Sequence, residues 1–143
     1  MKKFVFSMQK ILDLRNFEQD QAELELGKAN AEIARIQNEL DAIAASRVSV
    51  TRSTDAVADD FNLYAQTQTY FQFLDNRQEE LFEQMAQAQL VAEQKREVVR
   101  EAMKKVKVLE KLRETKLSQW KKERLAQEEK ATDDVVTAAF NKR

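Results

Sequence analysis

Ser46-Arg47-Val48-Ser49-Val50-Thr51-Arg52-Ser53-Thr54 is the one stretch of this 143-residue chain whose make-up departs from that of a helix. On either side run long segments of Ala, Leu, Glu, Gln, Lys and Arg, which lose little on entering a helix, whereas this stretch holds only Ser, Thr, Val and Arg. Hydroxyl side chains compete for nearby backbone groups and favour turns and caps. Thr54-Asp55, followed by Asp59 and Asp60, has the form of a helix start, with acids at the positive end of the dipole. The expectation is a first helix over residues 7–45, a reversal over 46–54 and a longer second helix over 55–140, together one elongated domain spanning 1–143.

Composition points the same way. With no Pro, Cys or His and one Gly, Gly27, the chain lacks the punctuation of a compact domain with many turns. Charged residues make up 34% of it, so a broad spherical core is not expected and a coiled coil is. The absence of Cys rules out a disulfide scaffold and fits the cytosol. No apolar run approaches the roughly 20 residues that span a bilayer. Lys2-Lys3 before Phe4-Val5-Phe6 is too brief for a signal peptide. A cytoplasmic protein, held at a membrane only through a partner, is the expectation.

Periodicity supplies the pairing surfaces. Ser7 is expected as the first N-cap, with Phe6 and Ile11 placed as a hydrophobic staple. From there Met8, Leu12, Ala22, Leu26, Ala29, Ile33, Ile36, Leu40 and Ile43 fall on steps of three and four, with Arg15 and Gln19 as polar members of the seam. The second stripe is Phe71, Leu74, Leu81, Met85, Ala88, Ala92, Val99, Ala102, Val106 and Leu109, with Gln78 and Lys95. Two stripes of this period predict an all-α fold, an antiparallel coiled-coil hairpin whose second helix overhangs. Folding about residue 52 sets position i opposite roughly 104 − i, so Leu26 approaches Gln78 and Leu81, and Met8 lies near Lys95 and Val99. The paired part is then ~60–65 Å long and the first helix runs out near residue 100, leaving about another 60 Å of helix.

The net charge of −1 conceals a division along the chain. Residues 1–94 carry nine Lys/Arg against sixteen Asp/Glu, residues 95–124 twelve against five, and residues 125–143 three against four. Either the two arms of the hairpin attract each other, or the basic run is a docking surface for an acidic partner. Nucleic acid is not indicated, because Glu97, Glu101, Glu110, Glu114 and Glu123 interrupt the run and no aromatic series is interleaved for stacking. Beyond Leu109 the seam slips, yet Leu112, Leu117, Trp120, Leu125, Val135, Val136, Ala139 and Phe140 keep an apolar stripe that seeks burial. Trp120, between Lys116 and Lys121-Lys122, has the surroundings of an interface anchor; self-association of two such tails is the alternative.

Enzymatic chemistry is not indicated. Without His or Cys, the common imidazole and thiolate metal sites and nucleophile pairs are missing, and there is no Gly-rich phosphate loop. Glu79 and Glu83 lie one helical turn apart, but a general acid needs a sheltered pocket and a two-helix pair provides none. No cofactor, metal or small-molecule substrate is expected.

Val108-Leu-Glu-Lys-Leu-Arg-Glu114, followed by Trp120 and Glu128-Glu-Lys-Ala-Thr-Asp-Asp134, resembles the "LEKL-R-E … E-x-K-x-x-D-E" tail of the flagellar export protein FliJ family. Phe4-Val-Phe-Ser-Met-Gln-Lys-Ile-Leu-Asp-Leu-Arg15 is similar to that family's "F-x-F-x-L-x-x-V-L-x-x-R" start, and Tyr70-Phe71-x-x-Leu74 to its "Y-L-x-x-L" segment. Asp134 stands where the family usually has Glu, and Asp41-Ala-Ile-Ala-Ala45 lacks the aromatics often found there.

The resemblance implies a non-enzymatic coiled coil like the central stalk of rotary ATPases. Such a protein sits in the flagellar export ATPase hexamer, contacts the cytosolic domain of the export gate and escorts export chaperones, peripheral to the inner membrane. Carried onto this sequence, it implies ATPase contact through Leu109, Leu112, Leu117, Trp120, Lys121, Lys122, Arg124 and Phe140, and gate contact through Tyr70, Phe71, Phe73 and Leu74. The stalk of a virulence type III secretion ATPase, or a cytosolic coiled-coil scaffold, fits the same residues.

Overall fold

The computed structural model describes residues 2–56 and 59–142. Among them are two helices and no strand: α1, Gln9–Asp55, and α2, Phe61–Asn141. They pack against each other as a hairpin with the second helix longer, as the two stripes require.

The reversal, however, lies elsewhere than expected. α1 runs straight through residues 46–54 and ends at Asp55. Two of its hydroxyls bond inside the helix: Ser53 Oγ donates to the Ser49 carbonyl at 3.1 Å, and Thr54 Oγ1 to those of Val50 and Thr51 at 2.9 and 3.1 Å. The seam also continues through this stretch, because Arg47, Val50 and Thr54 are half-buried and extend the three-four rhythm from Ile43. Weak propensity yields to that burial when neither Gly nor Pro forces a break.

The acid-rich helix start is real, but Asp60 is its cap. Asp60 Oδ1 accepts the N–H groups of Asn62 and Leu63 at 3.0 and 3.2 Å, and the Asp60 carbonyl accepts that of Tyr64 at 3.0 Å. The expected bounds 7–45 and 55–140 are corrected accordingly, and Val57 and Ala58, expected in the second helix, lie outside the described residues.

At its other end α1 opens at Gln9, whose N–H donates to the Phe6 carbonyl at 3.1 Å, two residues after the expected cap Ser7. The staple is corrected too. Ile11 is exposed, whereas Phe6 is buried with Leu12, Val106 and Leu109. An interhelical groove removes more of a Phe ring from water than one exposed turn does, and full burial of such a side chain is worth ~1.5–3 kcal/mol.

Contacts divide the chain into two units. Gln21–Val99 form one, with a core of Ile36, Ile43, Leu74, Leu81 and Ala88 against which Ile33, Leu40, Phe71 and Met85 pack. Ile36 and Leu81 are 0% exposed. Arg77 donates to Glu39 at 2.8 Å, Arg47 pairs with Asp75, and Arg35 reaches Gln84 at 3.4 Å. These pairs put position i opposite roughly 118 − i, in place of 104 − i. Moving the reversal by one heptad slides the pairing by two, and a seven-residue repeat keeps the same faces in contact while every partner changes. Lys95 accordingly neighbours Glu25, not Met8.

The second unit comprises Met1–Asp20 and Arg100–Arg143. Its core is Phe6, Leu12, Val106 and Leu109, with Phe4, Met8 and Leu112 packed against it. Arg113 Nε donates to Gln9 Oε1 at 3.3 Å, and the Phe4 and Trp120 rings lie 6.0 Å apart. α2 is therefore covered as far as Trp120, not merely to residue 100. The non-helical residues before Ser7 extend this cover, since an extended chain advances up to about 3.3 Å per residue against 1.5 Å for a helix.

Two substitutions bracket this account of the core. Ile36→Ala is expected to lower unfolding free energy by about 2–5 kcal/mol through the cavity it leaves. Gly27→Ala, where an added Cβ meets nothing within 4 Å, should raise it by ~1 kcal/mol. Thermal melts followed by circular dichroism check both, and an Ile36→Ala variant that melts like the parent contradicts the pairing.

Candidate functional site

Two exposed surfaces emerge, one in each unit. In the unit containing both chain ends, Leu109 and Leu112 belong to the core with Phe6 and Leu12, so they are intramolecular packing residues. The absence of covering chain, which made them candidates for a partner, does not hold there. Leu117 and Trp120 are half-buried. From Lys121 to Lys142 every residue is exposed, including Lys122, Arg124, Leu125, Val135, Val136 and Phe140.

Trp120 is framed on two sides. The Phe4 ring is tilted 57° to it, and the Arg124 guanidinium lies 5.5 Å from its centroid. Arg113 in turn sits 5.7 Å from the Phe4 centroid. Arg124 also donates to Glu128 at 3.3 Å, one turn along the exposed helix. This unit carries 17 Lys/Arg against 11 Asp/Glu, so its own acids do not neutralise the basic run. The α1 stretch within it spends one acid locally, Arg15 pairing with Glu18 at 2.9 Å. Mutual attraction of the arms thus does not account for the basic run, which leaves it as an electropositive face.

In the Gln21–Val99 unit, the four residues carried over from the resemblance separate into pairs. Tyr70 and Phe73 are 40% and 64% exposed and stack on each other at 6.4 Å with 23° between the rings. Phe71 and Leu74 face the core instead, and the Arg47 guanidinium lies 5.6 Å from the Phe71 centroid. Exposed Phe61 and Tyr64, in the first turn of α2, are aromatics that the sequence reading missed. Projecting the seam back from Phe71 would make Tyr64 a core residue. The residues turned inward are Leu63 and Thr67, whose hydroxyl donates to the Leu63 carbonyl at 2.8 Å.

Electrostatics in this unit are those of a solvated coiled coil. Hydrogen bonding and charge from Lys28, with a lesser effect of Lys95, hold the Glu25 carboxyl below its ordinary range, and Arg35 does the same for Glu32. Glu39 and Glu80 raise the Arg77 guanidinium, and Glu32 raises that of Arg35. The stabilisation from the two lowered carboxyls is present above their unfolded range and fades as pH falls through the lowered values. A groove of about 740 Å³ beside Glu32, Glu80, Glu83 and Gln84 is open to water and shelters no acid. Among the described residues no group of His, Cys, Asp or Glu is placed to hold a metal ion, and no helix is long and apolar enough to cross a membrane.

A family model described as "Flagellar FliJ protein" matches residues 4–143. No curated protein and no solved structure matches the chain.

The division into exposed and inward aromatics has a direct readout. Tyr70→Ala combined with Phe73→Ala is expected to change the melting free energy by less than about 1 kcal/mol, whereas Leu74→Ala should cost about 2–5 kcal/mol. Equal losses in the two variants would put Tyr70 and Phe73 in the core.

Proposed function

This chain belongs to the flagellar FliJ family, a family of non-catalytic helical coiled coils associated with flagellar export, and from that premise we propose that it serves as the stalk of the export ATPase hexamer. It joins the ATPase to the cytosolic domain of the export gate, escorts export chaperones, and is peripheral to the inner membrane through that assembly. The observation carrying this reading is the run of α2 after Trp120, which stays helical to Asn141 although every residue of it is exposed. A helix in water with Leu125, Val135, Val136 and Phe140 unburied gains by entering a partner. The electropositive face leading into it suits a cavity lined by carboxylates.

The roles follow from chemistry. Lys121, Lys122 and Arg124 steer the encounter, an effect that salt screens. Trp120, Leu117 and Phe140 supply contact area that slows departure. Leu109 and Leu112 act indirectly, by fixing the base from which the tail projects. Tyr70 and Phe73 form the gate contact, with Phe71 and Leu74 holding their helix in place.

Deleting residues 121–143, a cut that leaves both cores intact, is expected to abolish stimulation of the purified export ATPase. Reversing Lys121, Lys122 and Arg124 to Glu should slow association about tenfold or more at low salt and much less at high salt. Full stimulation by the tail-deleted chain would end the stalk reading. For the gate, Tyr70→Ala with Phe73→Ala should weaken binding to the purified cytosolic gate domain, and unchanged binding would move that contact elsewhere.

A further inference from the structure

The N-terminal arm, residues 2–8, covers part of the surface that the stalk reading assigns to the ATPase. Phe6 is its anchor, buried between Leu12, Val106 and Leu109. Val5 beyond it is 81% exposed, and Phe4 returns to α2 to meet Arg113 and Trp120. The outermost contact is thus a pair of tilted rings and two guanidinium faces, separated from the anchor by one solvated residue. Contacts of this kind are individually small.

Charge opposes the same contact. The arm carries Lys2 and Lys3, and Lys2 lines a shallow groove with Trp120, Glu123, Arg124 and Gln127. The part of α2 it approaches carries Arg113, Lys116, Lys121, Lys122 and Arg124 against Glu114 and Glu123. Aromatic attraction holds the arm down while like charges lift it. A partner with an acidic, apolar surface would compete with the arm for Trp120, offering it a larger apolar contact than Phe4 does and the basic face a counter-charge that Lys2 and Lys3 cannot provide.

We propose that residues 2–5 are a displaceable latch, closed over Trp120 in the free protein and opened when the partner takes that surface. The proposal rests on the stalk reading for the identity of the partner, but not for the latch itself. It carries an unusual sign: salt screens the repulsion between arm and helix, so raising ionic strength closes the latch instead of loosening it. If the open form is a minority, removing the Phe4 contact raises apparent affinity in proportion to the population released.

Trp120 is the chain's only Trp, so its fluorescence reports the latch directly. The test is acrylamide quenching of the full chain at low and high salt, with association rates to the purified export ATPase measured alongside. Phe4→Ala is expected to increase quenching and to speed association about three- to tenfold with little change in dissociation. Lys2→Glu with Lys3→Glu should decrease quenching, and quenching of the parent should fall as salt rises. Quenching that Phe4→Ala leaves unaltered would overturn the latch. So would slower association or faster dissociation of that variant, since the arm would then be part of the bound interface. Failure of the parent chain to bind the ATPase would count against the stalk reading alone, and the quenching comparison with its salt trend would then decide the latch.

Discussion

Ile36 and Leu81 share a core because α1 carries on to Asp55 and α2 starts only after Asp60 has accepted the N–H groups of Asn62 and Leu63. A seam that repeats every seven residues holds two helices together without specifying which turn of one meets which turn of the other. Sliding by two heptads to the shorter overlap would keep the same faces matched but leave Ala102, Val106 and Leu109 without cover, so apolar burial favours the observed register. Smaller terms add to it. Glu39 with Arg77 and Arg47 with Asp75 are solvent-accessible, partly buried pairs worth about 0.2–1 kcal/mol each, but they exist in one register only. The length of chain between the caps adds its own restriction, and so does the fit of Phe6 between Leu12 and Val106.

Much of this was legible in the sequence, because burial follows period. Every seam residue expected on α2, from Phe71 to Leu109, is buried or half-buried, and the polar members Arg15, Gln19, Gln78 and Lys95 are half-buried among them. The position of the turn was not legible. A run of Ser, Thr and Val has weak helix propensity, yet the Ser53 and Thr54 hydroxyls find carbonyls one turn back, and Arg47, Val50 and Thr54 extend the seam. The stronger signal was Asp59-Asp60 just before an apolar-aromatic segment, where an N-cap does form.

That one misplacement propagated to the site. A reversal at residue 52 leaves α2 uncovered from residue 100, with Leu109 and Leu112 free to bind. With the observed pairing and the non-helical arm, cover reaches Trp120, and the exposed helix begins at Lys121. Exposure of Tyr70 and Phe73 beside inward Phe71 and Leu74 follows from helical geometry alone, since adjacent residues point about 100° apart. The seam slips by one residue only at the very start of α2, where Leu63 takes the inner position that the heptad gives to Tyr64, while Thr67 keeps the place one heptad before Leu74. Register thus links the fold to the function: it determines how much of α2 is spent on internal packing and how much is left for a partner.

Hydrogen exchange along α2 of the free chain, resolved by mass spectrometry of overlapping fragments, tests that link most directly. The pairing described here predicts slow exchange through residues 102–112, intermediate exchange to about residue 120, and fast exchange from there to residue 141. Exchange as fast at 102–112 as at 125–140 would contradict it, because the first helix would then end its cover near residue 100 and the reversal would lie one heptad earlier.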